Sequence, residues 1–229
     1  MKSLRFAFHQ TIPVMFGYLF LGAAYGILLQ NAGYHFLWAL FTSIFIFAGS
    51  MQFVLVEFLT GGISLLSAAL TALSVNSRHI FYGISFIEKF RRMGKLRPYM
   101  IFSLTDETYS LLCGTSVPAD CEEKKVLFSI ALLDQCYWVI GSVTGALIGE
   151  LLPFNTTGID FSMTALFVVI FVEQWLSAKS HLPAVIGLLC GSICLALLGP
   201  DRFLLPALIL TAAILIIWKQ TFHGKEEIL

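Results

Sequence analysis

Arg78, Asp106, Glu107 and Asp134 are charged residues set in otherwise apolar stretches of this chain. An ionised side chain at the centre of a membrane helix costs roughly 2.5–3.5 kcal/mol on insertion scales, so each needs a partner or a function. Thr105-Asp106-Glu107-Thr108-Tyr109 and Asp134-Gln135 each place acids inside an apolar run. A carboxyl group in such surroundings can take up and release a proton, which coupling to a proton gradient requires, and Asp106, Glu107 and Asp134 are the candidates. The same acids could instead neutralise Arg78 as a static ion pair. Arg78 lies in Ser74-Val75-Asn76-Ser77-Arg78-His79, followed by Tyr82. It could hold a substrate carboxylate, pair with an internal acid, or reach out to the membrane interface from the end of its segment. His79 could carry protons or serve only structure.

Another interruption is Phe47-Ala48-Gly49-Ser50-Met51-Gln52-Phe53. A helix restarting here would expose backbone N–H groups and the positive end of its dipole at membrane depth, a ready site for a carboxylate. Ser50 and Gln52 would add hydrogen bonds. The plainer alternative is a close helix contact allowed by Gly49 and Ser50. Glu57 and Glu173-Gln174 sit near segment ends and are secondary candidates. Asp160 reads as a helix cap, and Gly199-Pro200-Asp201-Arg202 as a turn.

The elements that must position these residues follow from composition. The 229 residues are 58% apolar and 12% charged, against about 25% charged in soluble domains. A bilayer is the expected solvent. Apolar runs at about 11 to 29, 37 to 60, 62 to 87, 99 to 115, 126 to 150, 161 to 178, 182 to 199 and 203 to 219 predict about eight membrane segments, each near the roughly 20 residues a spanning helix needs. No strand-like alternation is present, so the expected fold class is all-α, a polytopic transmembrane helical bundle. One transmembrane domain is expected over 1–229. Lys2 and Arg5 precede an apolar stretch without a small-residue cleavage site, which predicts a retained first span. The net charge is zero and no basic block suggests nucleic acid. Five cysteines without a CxxC pair imply neither a disulfide framework nor a metal site.

Lys2, Arg5, the Lys89 to Arg97 loop, Lys179, Lys219 and Lys225 should all face the cytoplasm. Segment one leaves the cytoplasm, so segments two and three together must make one net crossing. A re-entrant pair of half-helices bent at Phe47-Ala48-Gly49-Ser50 satisfies this, with segment three crossing back. Ala39-Leu40-Phe41 and Ala165-Leu166-Phe167 open segments two and six, each preceded by a glycine-spaced helix: Gly22-x-x-x-Gly26 and Gly141-x-x-x-Gly145-x-x-x-Gly149. The spacing suggests an inverted repeat over 1–115 and 126–219, with segments two and six both broken.

Taken together, the Pro13 and Gly17 start, Phe47-Ala48-Gly49-Ser50-Met51-Gln52-Phe53, Asn76-Ser77-Arg78-His79 with Tyr82-Gly83, Thr105-Asp106-Glu107 and Gly158-Ile159-Asp160-Phe161 resemble the AzlC family over almost the whole chain. The resemblance implies the large subunit of a branched-chain amino acid exporter in a prokaryotic cytoplasmic membrane. It also implies efflux of apolar amino acids driven by the proton-motive force, and a small AzlD-type membrane subunit as partner. The family motifs map onto Ser50, Gln52, Asn76, Arg78, Tyr82, Asp106 and Glu107. The residue-level reading agrees. A zwitterion needs a carboxylate site (Gly49, Ser50, Gln52, with Asn76, Arg78 and Tyr82 as further candidates), an acid for its ammonium (Asp106 or Asp134) and an apolar pocket (Phe47, Phe53). Neither a cofactor nor a metal is implied. Two other classes compete: an enzyme using Asp106 and Asp134 as an acid pair, for which no nucleophile motif is present, and a scaffold holding a partner through its glycine faces.

Overall fold

A computed structural model describes residues 2–62, 64–76, 78–151, 161, 168, 171–172, 175–176, 180–200 and 203–222. The helices are α1 (Lys2–Asn31), α2 (Phe36–Phe45), α3 (Gly49–Gly61), α4 (Leu65–Asn76), α5 (Arg78–Arg91), α6 (Arg97–Phe102), α7 (Asp106–Gly114), α8 (Glu123–Leu151), α9 (Leu182–Leu198) and α10 (Leu204–Phe222), with one 3-10 turn at Gly94–Leu96. No strand occurs among the described residues, so the all-α expectation holds. Segments one, five, seven and eight are helical and segments two, three and four each comprise two helices where described; most of segment six, with Glu173, Gln174 and Asp160, lies outside the described residues. Among the described residues, α1 and α8 are long and apolar enough to cross a bilayer alone. Many large apolar side chains point outward, Phe16, Phe20 and Leu66 among them. A surface this oily suits lipid rather than water.

The contacts divide the chain into two compact units, Met1–Ile63 with His79–Thr164, and Ser64–Arg78 with Ala165–Leu229. In the second, α9 turns at Gly199 (φ +75°) into α10, and α4 packs on α10. The first unit carries the candidate site.

That unit is built on α1 and α8, which run in parallel and touch backbone to backbone. A Cβ on Gly141 would lie 2.8 Å from the carbonyl oxygens of Tyr18 and Leu19, and one on Gly22 would lie 2.9 Å from the Ser142 nitrogen. Side chains at Gly26 and Gly145 would strike the backbones of Ser142 and Ala23. The glycine spacing that suggested a repeat therefore has a packing cause: the two motifs meet each other.

Both long helices start at the same end. Lys2 pairs with Asp120 at 3.2 Å, and Ser3 Oγ accepts from the Glu122 N–H at 3.2 Å. Lys89 reaches Glu123 at 3.7 Å. The hydrogen bond and charge of Lys2 hold the Asp120 carboxyl below its ordinary value. This end carries Lys2 and Lys89, two of the basic residues that the sequence expectation groups on one side of the bilayer.

Segment two is broken where the sequence predicted. Helix α2 stops at Phe45, Phe47 takes a left-handed φ of +41°, and α3 starts at Gly49. The Tyr34 hydroxyl, just ahead of α2, donates to the Leu59 carbonyl near the end of α3 at 3.5 Å. The two half-helices therefore fold back on each other from the end of α1 opposite Lys2. Segment four, expected as one run, is also broken: α6 ends at Phe102 and α7 starts at Asp106. Met100 of α6 and Leu112 of α7 share a core with Ala7, Phe90 and Val126 near the basic end, so this pair folds back too. Two hairpins enter from opposite ends, and their tips approach through Phe47 and Phe102, ring centroids 6.4 Å apart.

The seam predicts its own sensitivity. Gly145→Ala should lower the thermal midpoint of the purified protein in detergent, since overpacking costs about 1–3 kcal/mol or more where backbone must move. Gly17→Ala, with nothing within 4 Å of the added methyl, should leave it unchanged. Equal midpoints for the two variants would refute the seam.

Candidate functional site

The tips meet at mid-length of α1 and α8, around Tyr18 and Trp138. Tyr18 lies edge-on to Trp138 (5.3 Å) and Phe47 (6.4 Å). Gly49, the first residue of α3, is so close to Trp138 that an added Cβ would sit 3.3 Å from the indole.

The first tip is held by Gln52, which is fully buried. Its Oε1 accepts from Trp138 Nε1 at 2.8 Å and from the Ala48 N–H at 3.3 Å. Its Nε2 donates to Ser43 Oγ at 3.2 Å and to Thr42 Oγ1 at 3.4 Å. All four hydrogen-bonding positions of the amide are thus used inside the protein. The Tyr25 hydroxyl meets Thr42 at 2.7 Å. Gln135 joins the hairpins: its amide donates to the Ile44 carbonyl at 3.0 Å and accepts from the Tyr99 hydroxyl at 2.8 Å. An exposed carbonyl at the end of α2 is thereby satisfied.

The second tip holds the acids. Thr105 caps α7, its hydroxyl accepting from the Thr108 N–H at 3.3 Å. Asp106 and Glu107 occupy the first turn, where the helix dipole favours negative charge. Tyr18 Oη is 2.7 Å from Glu107 Oε2 and 2.6 Å from Thr105 Oγ1. Thr105 Oγ1 is 3.1 Å from Thr108 Oγ1, and Thr108 Oγ1 is 2.8 Å from Asp134 Oδ2. Asp134 is fully buried, and its Oδ1 has no hydrogen-bond partner among the described residues.

The structure gathers Phe47, Gly49, Gln52, Glu107 and Asp134 around Tyr18 and Trp138. Ser50 is half-buried in the first turn of α3, whose N-cap residue Ala48 supplies no side-chain hydrogen bond. Phe53 packs on Tyr25, centroids 5.8 Å apart. Tyr82 stacks on Tyr109 at 4.5 Å and flanks His79. Asp106 opens α7, half-buried. Asn76 ends α4 and belongs to the second unit; Arg78 opens α5, its side chain outside the described residues. Glu57 is exposed on α3. Tyr18, Tyr25, Thr42, Thr105, Thr108 and Trp138 complete the site without having been singled out. One signal was available: threonine followed at once by two acids marks a helix start inside segment four.

Residues 13–152 match the family model described as AzlC protein. The chain is 41% identical over 224 residues to the branched-chain amino acid transport protein AzlC of Bacillus subtilis, covering 98% of this chain and 88% of that protein. It is 39% identical to an uncharacterized membrane protein of Helicobacter pylori strain ATCC 700392, covering 96% of each. It is 29% identical to the inner membrane protein YgaZ of Escherichia coli, covering 89% of this chain and 84% of that one. No solved structure matches.

Gln52→Leu tests the first tip. It strands Trp138 Nε1 and the Ala48 N–H, and a buried unsatisfied group costs about 1–3 kcal/mol. The thermal midpoint should fall clearly, and restoring it with Trp138→Phe in the same chain should recover part of the loss. An unchanged midpoint for Gln52→Leu would show that the amide does not hold the break.

Proposed function

The chain belongs to the AzlC family of membrane proteins, and on that premise we propose that it exports branched-chain and similar apolar amino acids, coupled to protons, as the large subunit of a two-component carrier. The observation that carries this reading is a buried acid, Asp134, beside two interrupted helical segments whose tips meet at mid-length of α1 and α8. Broken helices that line a central site are a carrier architecture, because they present unpaired backbone and helix-end dipoles where a polar substrate must bind.

The roles follow from the chemistry of a zwitterion. The substrate carboxylate is received by the N-terminus of α3, at Gly49 and Ser50. The ammonium faces Asp134 or Asp106. Phe47 and Phe53 supply apolar surface for the side chain. Gln52 contributes through the position of α3, since its own amide is engaged by Trp138, Ala48, Thr42 and Ser43. Asn76, Arg78 and Tyr82 remain candidates for the carboxylate, and Asp106, Glu107 and Asp134 for coupling. The left-handed Phe47 fits this reading: strain of about 1–3 kcal/mol at a bulky residue is a recurrent feature of binding sites. A small AzlD-type membrane subunit is the proposed partner. The scaffold alternative loses its main support, because the glycine faces of α1 and α8 are occupied by each other.

Counterflow of labelled leucine, valine and methionine in vesicles tests the proposal, with the chain alone and with an AzlD-type subunit. Uptake is expected with both subunits. Asp134→Asn should cut it by roughly tenfold or more, the worth of a charged hydrogen bond of about 1.5–3 kcal/mol. Absence of counterflow for all three amino acids with both subunits present would refute the assignment.

A further inference from the structure

Four short oxygen–oxygen contacts link Glu107 to Asp134 through three hydroxyls. They are Glu107 Oε2 to Tyr18 Oη (2.7 Å), Tyr18 Oη to Thr105 Oγ1 (2.6 Å), Thr105 Oγ1 to Thr108 Oγ1 (3.1 Å) and Thr108 Oγ1 to Asp134 Oδ2 (2.8 Å). Each contact needs one proton between its oxygens. Tyr18, Thr105 and Thr108 own one hydroxyl proton each, so the three supply three protons for four contacts. With both acids ionised, one contact, the 2.6 Å one if each hydroxyl turns to its nearer acid, would set lone pair against lone pair. The missing proton must come from a carboxyl.

We propose that Glu107, Tyr18, Thr105, Thr108 and Asp134 form a relay that holds one transferable proton, and that this relay is the route by which the carrier exchanges its coupling proton. The proposal rests on the transport reading above and names the path that reading lacks.

The step balances within the chain. The proton on Glu107 passes to the Tyr18 oxygen as the Tyr18 proton passes to Thr105, the Thr105 proton to Thr108 and the Thr108 proton to Asp134. Four O–H bonds break and four form. One positive charge moves from one carboxyl to the other, and every contact is satisfied before and after. In both states Thr105 Oγ1 keeps the Thr108 N–H as a second donor, which fixes the hinge of the chain at the N-terminus of α7. Helices α1, α7 and α8 each contribute a member, so the relay runs across the tip of the second hairpin. Among the described residues, titratable groups near it include Asp106 on α7, Cys136 on α8 and Tyr99 on α6, the last hydrogen-bonded to Gln135 beside Asp134. The Asp134 Oδ1 atom, unpartnered among the described residues, is where an incoming cation would meet the relay.

Two measurements in vesicles of the full chain with its small subunit separate relay from scaffold. Leucine counterflow at equal pH needs no net proton movement; uphill leucine transport driven by an imposed pH gradient does. Tyr18→Phe and Thr108→Val keep shape and remove one hydroxyl each; because both residues belong to the site, the quantity read is gradient-driven transport relative to each variant's own counterflow. That ratio should fall on the order of a hundredfold, the scale of a lost positioned proton transfer. Thr108→Ser, which restores the hydroxyl, should restore coupling. Should Tyr18→Phe not fold, the Thr108→Val and Thr108→Ser pair decides alone. Variants as gradient-driven as the parent would overturn the relay and leave the carrier reading intact. A parent protein with full counterflow but no response to the gradient would overturn proton coupling, and the relay with it.

Discussion

Two helices can lie with their backbones in contact only where neither places a side chain between them, and in this protein everything near the site hangs on that approach. Gly22 and Gly26 of α1 face Gly141, Ser142 and Gly145 of α8 so closely that a methyl on any of these glycines meets backbone. Lipid offers no hydrophobic drive for such a pairing. It is held by dispersion between close surfaces and by hydrogen bonds that find no competitor in hydrocarbon. The consequence is a rigid central pair whose remaining faces serve as walls for two interrupted segments. Tyr18 and Tyr25 on one wall, with Asp134, Gln135 and Trp138 on the other, all reach into the gap where the hairpins end.

Breaking a helix in a membrane exposes backbone groups that water cannot satisfy, at several kcal/mol each. The structure answers with amides and hydroxyls from the broken segments themselves and from α8. Gln52 returns to its own helix start and ties it to Trp138, and Gln135 covers a carbonyl at the end of α2. Thr105 caps α7 with its hydroxyl. The first tip is closed by an amide whose every position is used, whereas the second meets Asp134, whose Oδ1 has no hydrogen-bond partner among the described residues. That asymmetry separates a structural tip from a chemical one.

How much of this was legible depends on the range of the interaction. The first break was readable because its cause is local: a small and polar run interrupts the apolar segment at Phe47 to Gln52. The second break has an equally local marker in Thr105-Asp106-Glu107, but the apolar run around it reads as one segment, and threonines are common inside membrane helices. The glycine spacings were visible, yet sequence alone could not show that they pair with one another, and they suggested a repeat instead. Trp138 and Gln52 are 86 positions apart and Tyr18 and Glu107 are 89 apart. No periodicity links such residues; only the fold brings them within hydrogen-bonding distance.

Coupling of the proposed kind requires that proton and substrate compete for one charge. In the relay, one proton is shared between two carboxyls, so the chain of five groups carries a single negative charge, and Asp134 at one end of it is fully buried. Removing that proton leaves two negative charges and an unmade hydrogen bond, which is unfavourable unless another cation arrives. An ammonium group at Asp134 Oδ1 is such a cation. Its binding makes loss of the proton tolerable, and its departure makes return of the proton necessary. Occupation by one expels the other, which is the condition for exchanging an inward proton against an outward amino acid. The direction of that exchange then follows from the gradient and needs no further device in the protein.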